Sequence, residues 1–170
     1  MTTIEAPTLG AYSIEASEST VEFGTRHLFG LAPVRGAFTL KEGIVHVADP
    51  TDASMVRATI DAGSFDTGLP QRDDTVRSAK FLDTANHPDI TFVANGLHGS
   101  DLIGTLTVKG RTETLDVTID EVRVLDHRLQ IRASAEVDRY RWGVSAMKGM
   151  TGRRLRFTLS LVASRVDELR

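Results

Sequence analysis

Apolar and polar residues alternate with a period of two along most of the chain. Val21, Phe23, Thr25 and His27 share one face, with Thr20, Glu22 and Arg26 on the other. Val34, Gly36, Phe38 and Leu40 repeat the rhythm, as do Ile90, Phe92 and Ala94, then Leu102, Gly104, Leu106 and Val108. Leu115, Val117 and Ile119 alternate with Thr114, Asp116 and Thr118. The longest run sets Leu129, Ile131, Ala133, Ala135 and Val137 against Gln130, Arg132, Ser134, Glu136 and Asp138. Leu155, Phe157, Leu159 and Leu161 follow, opposite Arg156, Thr158 and Ser160. Each run predicts a strand with one apolar and one wet face. Lys41-Glu42-Gly43, Lys109-Gly110 and Asp126-His127 predict tight hairpins. The stretches 49–52 and 98–101 predict longer loops. Strands at such short spacing predict an all-β antiparallel meander of about eight strands. It can hide its apolar faces as a sandwich or by closing into a barrel.

One segment breaks the rhythm. Residues 69–85 read LPQRDDTVRSAKFLDTA. Pro70 suits the first turn of a helix, and Asp73 and Asp74 suit its positive end. Leu69, Val76 and Phe81 give only a narrow apolar stripe, so a short helical insert, weakly attached and lid-like, is expected. Residues 1–11 are polar, contain Pro7 and predict a loose tail before a single domain over 12–170.

The length of 170 residues fits one domain, and 41% hydrophobic with 25% charged residues is an ordinary globular profile. A net charge of −3 argues against nucleic acid as a partner. The chain has no cysteine, which excludes disulfides, zinc ribbons, iron–sulfur clusters and thiol nucleophiles. No apolar run is long enough to form a membrane-spanning helix. The opening MTTIEAPTLG lacks the basic-then-apolar pattern of a secretory leader, so a cytoplasmic location is expected.

Catalytic constellations are missing from the pattern. Gly143-Val144-Ser145-Ala146-Met147 lacks the closing glycine of a nucleophile elbow, and no phosphate loop occurs. The five histidines show no metal-ligand spacing, and no metal or cofactor is expected. His27 shares a face with Phe23, either as a core histidine or as a polar group at a pocket end. Arg26, Arg72 and Arg77 either form a solvated surface or offer charge-assisted hydrogen bonds to an anionic head group. The inward faces mix Phe23, Phe38, Phe92 and Phe157 with Gly36, Gly104, Ala133 and Ala135. Small residues on neighbouring inward faces leave room for a ligand, or else complement the large ones in a filled core.

Four passages resemble the YceI-like family of polyisoprenoid- or lipid-binding, lipocalin-like barrels. They are Tyr12-Ser13-Ile14 with Ser19–Phe23; Arg26-His27-Leu28 with Val34–Phe38; Arg72-Asp73, Arg77-Ser78, Phe81, Asp83, His87-Pro88 and Ile90-Thr91-Phe92; and Gly104–Thr112. The third is long and unusual in composition, so it is the most specific. Thr75 stands where the family commonly has a histidine, and Leu82 where a second aromatic is usual. The resemblance implies an extended antiparallel β-barrel, with a long apolar pocket that binds, stores or transports a long-chain amphiphile of the polyisoprenoid or fatty acid/amide type. It also implies a homodimer and no established catalytic step. The ligand-contact candidates are Phe23, His27, Phe38, Arg72, Arg77, Phe81, Phe92, Leu106, Ala133, Trp142 and Phe157. The alternative is an enzyme acting on such a lipid, with His27 and Asp73 as its proton-handling groups. A third reading is a structural protein with an incidental cavity.

Overall fold

The computed structural model describes residues 3–27, 32–149 and 151–166, with the side chains of Thr3 and His27 left aside. The strands are β1 (Thr3–Ile4), β2 (Gly10–Ile14), β3 (Thr20–His27), β4 (Ala32–Val47), β5 (Met55–Asp66), β6 (Asp89–His98), β7 (Asp101–Val108), β8 (Arg111–Leu125), β9 (Arg128–Asp138) and β10 (Arg154–Arg165). One helix, α1 (Pro70–Arg77), interrupts them between β5 and β6.

From β4 to β10 each strand pairs antiparallel with the next. β2 and β3 together fill the eighth position, because both pair with β4 on one side and β10 on the other. Leu159 shows the closure: it lies opposite Val21 of β3 and opposite Ala133 of β9. The result is a closed eight-stranded barrel, with β1 added in parallel to the outside edge of β8.

The predicted alternation sets inside and outside. Val21, Phe23, Leu40, Ile90, Phe92, Leu102, Leu106, Leu115, Val117, Leu129 and Ala133 are buried. Their outward neighbours, such as Glu22, Arg35, Thr112, Asp116, Arg132 and Arg156, are exposed. A membrane-spanning barrel shows the reverse, an apolar band outside and a polar lumen. Among the described residues no helix is long and apolar enough to cross a membrane.

The turn at Lys109-Gly110 has φ of 53° and 76°, the left-handed geometry of a two-residue hairpin, and Asp126 opens the β8–β9 turn at φ 54°. Lys41-Glu42-Gly43, expected as a hairpin, lies inside β4. The register shifts between Leu40 and Glu42, so the strand bulges and continues. Gly43 is there for close approach, since a Cβ would lie 2.6 Å from Ile14 Cδ1. The segment 98–101, expected as a longer loop, is a tight link between β6 and β7 with Gly99 at φ 61°. β5 was not among the predicted strands. Part of the expected loose tail is tied down: Glu5 N–H donates to Val122 O at 2.9 Å, and its carboxylate accepts from Val124 N at 2.6 Å.

Candidate functional site

The barrel encloses a cavity of about 650 Å³, well inside the range of about 300–1,000 Å³ typical of ligand sites. At about 30 Å³ per water-sized group, on the order of 20 methylene-sized groups fit. The cavity runs the length of the barrel. Ile4, Pro7, Thr51 and Gly99 line it at the β1 end; Leu40, Ile60, Phe92, Ala133 and Leu159 line the middle; Thr67, Arg72, Thr75, Val76, Phe81 and Met147 line it at the end that α1 covers. Exposed residues occur in the lining at both ends, among them Ile4 and Gly99 at one and Thr75 and Met147 at the other.

Phe23, Phe38, Phe65 and Phe157 form an aromatic cluster on the wall, with ring centroids 5.3–6.3 Å apart. Two inward glycines do not create the open volume, contrary to expectation. A Cβ on Gly36 would lie 2.5 Å from Phe23 Cζ, and one on Gly104 2.8 Å from Phe92 Cζ. Each glycine is covered by a phenylalanine ring from the paired strand. The open volume lies beside Ala58, Ala133 and Ala135, which do line the cavity.

Of the expected contacts, Phe23, Phe38, Arg72, Phe81, Phe92, Leu106, Ala133 and Phe157 line the cavity. The side chain of His27 lies outside the described residues. Trp142 does not line the cavity. It is 2% exposed, packs in the core and donates from Nε1 to Leu106 O at 2.8 Å. Arg77 also misses the cavity. It donates from Nε to Gly63 O at 3.0 Å and from Nη2 to Phe65 O at 2.5 Å, and pairs with Asp74 at 3.0 Å. Its donors clamp α1 to the end of β5, adding polar ties to an apolar stripe of which Phe81 is buried and Val76 packs against the core. Leu69, expected on that stripe, is instead 55% exposed. Arg26 is exposed and lines a separate outer cleft with Arg153 and Arg154.

Asp73, the proposed proton handler, is 4% exposed and fully engaged. Its carboxylate accepts from Thr67 N at 3.0 and 3.1 Å and from Thr67 Oγ1 at 2.5 Å. Burial pushes its pKa up. The two Thr67 hydrogen bonds and the Arg77 and Arg72 charges outweigh that and hold it below the ordinary value. A carboxylate locked in its ionised form braces the helix and is poorly suited to proton transfer. Arg72 Nε donates to the same Thr67 Oγ1 at 2.8 Å, which aims its guanidinium at the cavity end. Among the described residues no group of His, Asp and Glu is placed to hold a metal ion.

The sequence reading missed Arg139. It lies in a 3₁₀ turn after β9, is 7% exposed and lines the cavity. Its guanidinium donates to Gly152 O at 2.8 Å, Val144 O at 2.7 Å and Thr151 O at 3.2 Å, and stacks 5.5 Å from the Phe81 ring centroid. Among the described residues no carboxylate forms an ion pair with it; neighbouring Asp138 is taken by Arg153 at 2.9 Å. Desolvation lowers its pKa, although an arginine keeps its charge. The inward phase of β9, 129-131-133-135-137, continues to 139, and that was the available signal.

An up-and-down eight-stranded barrel with an apolar interior open at its ends is the architecture of a lipocalin-like protein. The chain belongs to the YceI-like family: the YceI-like domain matches residues 12–163. A UPF0312 protein of Staphylococcus aureus is 33% identical over 115 residues, and the match spans 65% of this chain and 66% of that relative's length. A UPF0312 protein of Staphylococcus epidermidis is 32% identical over 116 residues, with the same coverage. Two solved structures share the fold. BcnA of Burkholderia cenocepacia superposes with a TM-score of 0.76 at 22% identity, over 89% of this chain and 99% of that one. A polyisoprenoid binding domain from Saccharophagus degradans gives 0.69 at 16% identity, over 94% and 100%.

Proposed function

We propose that the protein binds a long-chain amphiphile, of the polyisoprenoid or fatty acid/amide type, and stores or transports it. The observation that carries this reading is the apolar cavity of about 650 Å³ running from end to end of the barrel. Packed protein interiors have few voids larger than a water molecule, so a cavity of this size and lining is a site for an apolar chain rather than a packing defect. The tail lies along Ala133, Phe92 and Leu159. Its polar end meets Arg72 and Arg139, the cations in the lining at the α1 end. Arg72 was expected in this role, and Arg139 replaces Arg26 and Arg77. Membership of the YceI-like family and the fold shared with a polyisoprenoid binding domain support the same reading. Mass spectrometry of lipid extracted from the purified protein tests it. A stoichiometric long-chain species is expected. Protein that carries no lipid and takes none up from a panel of isoprenoid alcohols and fatty acids refutes the proposal.

A further inference from the structure

The two mouths of the cavity carry opposite charge. At the α1 end, Arg35 and Arg156 flank Gly24 in register on the outer face, so no side chain separates them, and Glu136 of β9 lies on the far side of Arg156. Arg26 and Arg154 lie one row nearer the mouth, and Arg153, which pairs with Asp138, precedes β10. An outer cleft of about 400 Å³, lined by Arg26, Arg153 and Arg154, shares Thr25, Thr151 and Gly152 with the main cavity. The basic cleft therefore borders the mouth itself. Met147, 51% exposed, belongs to the cavity lining there, and Lys148 follows it. The opposite end is acidic. Glu5, Glu15, Glu18, Asp49, Asp52 and Asp126 outnumber Arg123, Arg128 and Arg165 there, and Arg123 and Arg128 are paired with Glu121 and Glu18.

β10 has 12 residues. At about 3.3 Å per residue and a tilt of about 40°, the ends are roughly 30 Å apart. That is several times the Debye length of about 8 Å at physiological ionic strength. An approaching surface sees one mouth, not the net charge of −3.

We infer that the α1-end mouth docks on an anionic lipid bilayer and that the amphiphile passes between bilayer and barrel through it. The inference rests on the reading of the cavity as an amphiphile site. Clustered arginines attract anionic head groups. An exposed methionine in the lining, beside a lysine, suits the boundary between head groups and acyl chains better than it suits nucleic acid. The acidic mouth is repelled by the same surface, so the charge polarity fixes which end faces the bilayer.

The test uses the full chain and vesicles of phosphatidylcholine with or without phosphatidylglycerol. Flotation with the anionic vesicles is expected at low salt, and its loss at high salt or without phosphatidylglycerol. The double variant Arg35→Glu/Arg156→Glu lies on the outer face and should weaken vesicle binding by more than about tenfold. Arg57→Glu/Arg123→Glu makes the same change of net charge away from this mouth and should leave binding unchanged. Circular dichroism confirms that both variants are folded. Equal weakening by the two pairs overturns the inference, and so does tighter binding to an oligonucleotide than to anionic vesicles at the same salt. Uptake of detergent-dispersed oleate separates the two readings. A barrel that takes up oleate but ignores anionic vesicles refutes the docking alone. A barrel that takes up neither dispersed oleate nor any other member of a panel of isoprenoid alcohols and fatty acids refutes the cavity reading beneath it.

Discussion

Replacing Ala133 with phenylalanine puts a ring into the middle of the cavity. Ala133 lies between Ile119 on β8 and Leu159 on β10, is 3% exposed and faces inward. The substitution adds six carbons to a cavity that holds on the order of 20 such groups, so close to a third of the volume goes and the long path is divided. Each buried methylene contributes about 0.8 kcal/mol, so displacing six removes at most about 5 kcal/mol of gross binding energy. A tail that bends around the ring recovers part of this. At about 1.4 kcal/mol per decade, half of the loss still weakens binding roughly fiftyfold. The fold should tolerate the change, because the ring enters open volume and the stability shifts by less than about 1 kcal/mol; a filled core would lose about 1–3 kcal/mol. The assay pairs calorimetric titration of a long-chain fatty alcohol with urea unfolding. Unchanged affinity together with a loss of about 1–3 kcal/mol would show a packed interior and refute the cavity.

Two further outcomes follow from the packing around the site. Asp73→Asn removes the charged acceptor of the Thr67 hydrogen bonds and should cost about 1.5–3 kcal/mol near neutral pH. Because the folded pKa of Asp73 lies below its ordinary 3.8, its contribution is present above that value and is lost as pH falls through the folded pKa. Urea midpoints of parent and variant should therefore converge in strong acid, and a gap that stays constant would remove Asp73 from this role. Gly104→Ala places a Cβ 2.5 Å from the Val93 carbonyl and against the Phe92 ring, whereas at Gly24 the nearest atom is 3.9 Å away. Thermal melting should show a loss of about 1–3 kcal/mol for the first and little change for Gly24→Ala; equal melting temperatures would contradict the ring-over-glycine arrangement.

The barrel was largely legible in the period-two runs, because every strand has one face in an apolar interior and one in water. β9 and β10 read cleanly for that reason. β5 was missed although Val56, Ala58, Ile60 and Ala62 alternate inward; two of the four are alanines, which signal burial weakly. Lys41-Glu42-Gly43 misled because turn-like residues also occur at a bulge and where a neighbour such as Ile14 must come close. The site was half legible. Its aromatic and alanine lining follows from strand phase. The roles of the arginines do not, since charge in the sequence does not say whether a guanidinium lines the cavity, as those of Arg72 and Arg139 do, or is bound to backbone carbonyls outside it, as that of Arg77 is. Phe65 was missed with the rest of β5, and Trp142, placed among the contacts, turns its indole to a carbonyl in the wall.

The barrel is closed by β10, the last of the described strands. Phe157 of β10 lies opposite Ala135 of β9 and also opposite Phe23 of β3, a residue synthesised long before it. On a ribosome, no interior exists until residues 154–165 have emerged. Up to that moment the nascent chain is an open sheet with one apolar face uncovered and the edges of β3 and β9 bare, the kind of surface that pairs with other chains. Closure then depends on a contact between distant parts of the sequence, which forms slowly. Translation thus delivers an adhesive sheet first and a container second, and any chaperone that guards this protein must act in the interval before Arg154 to Arg165 arrives.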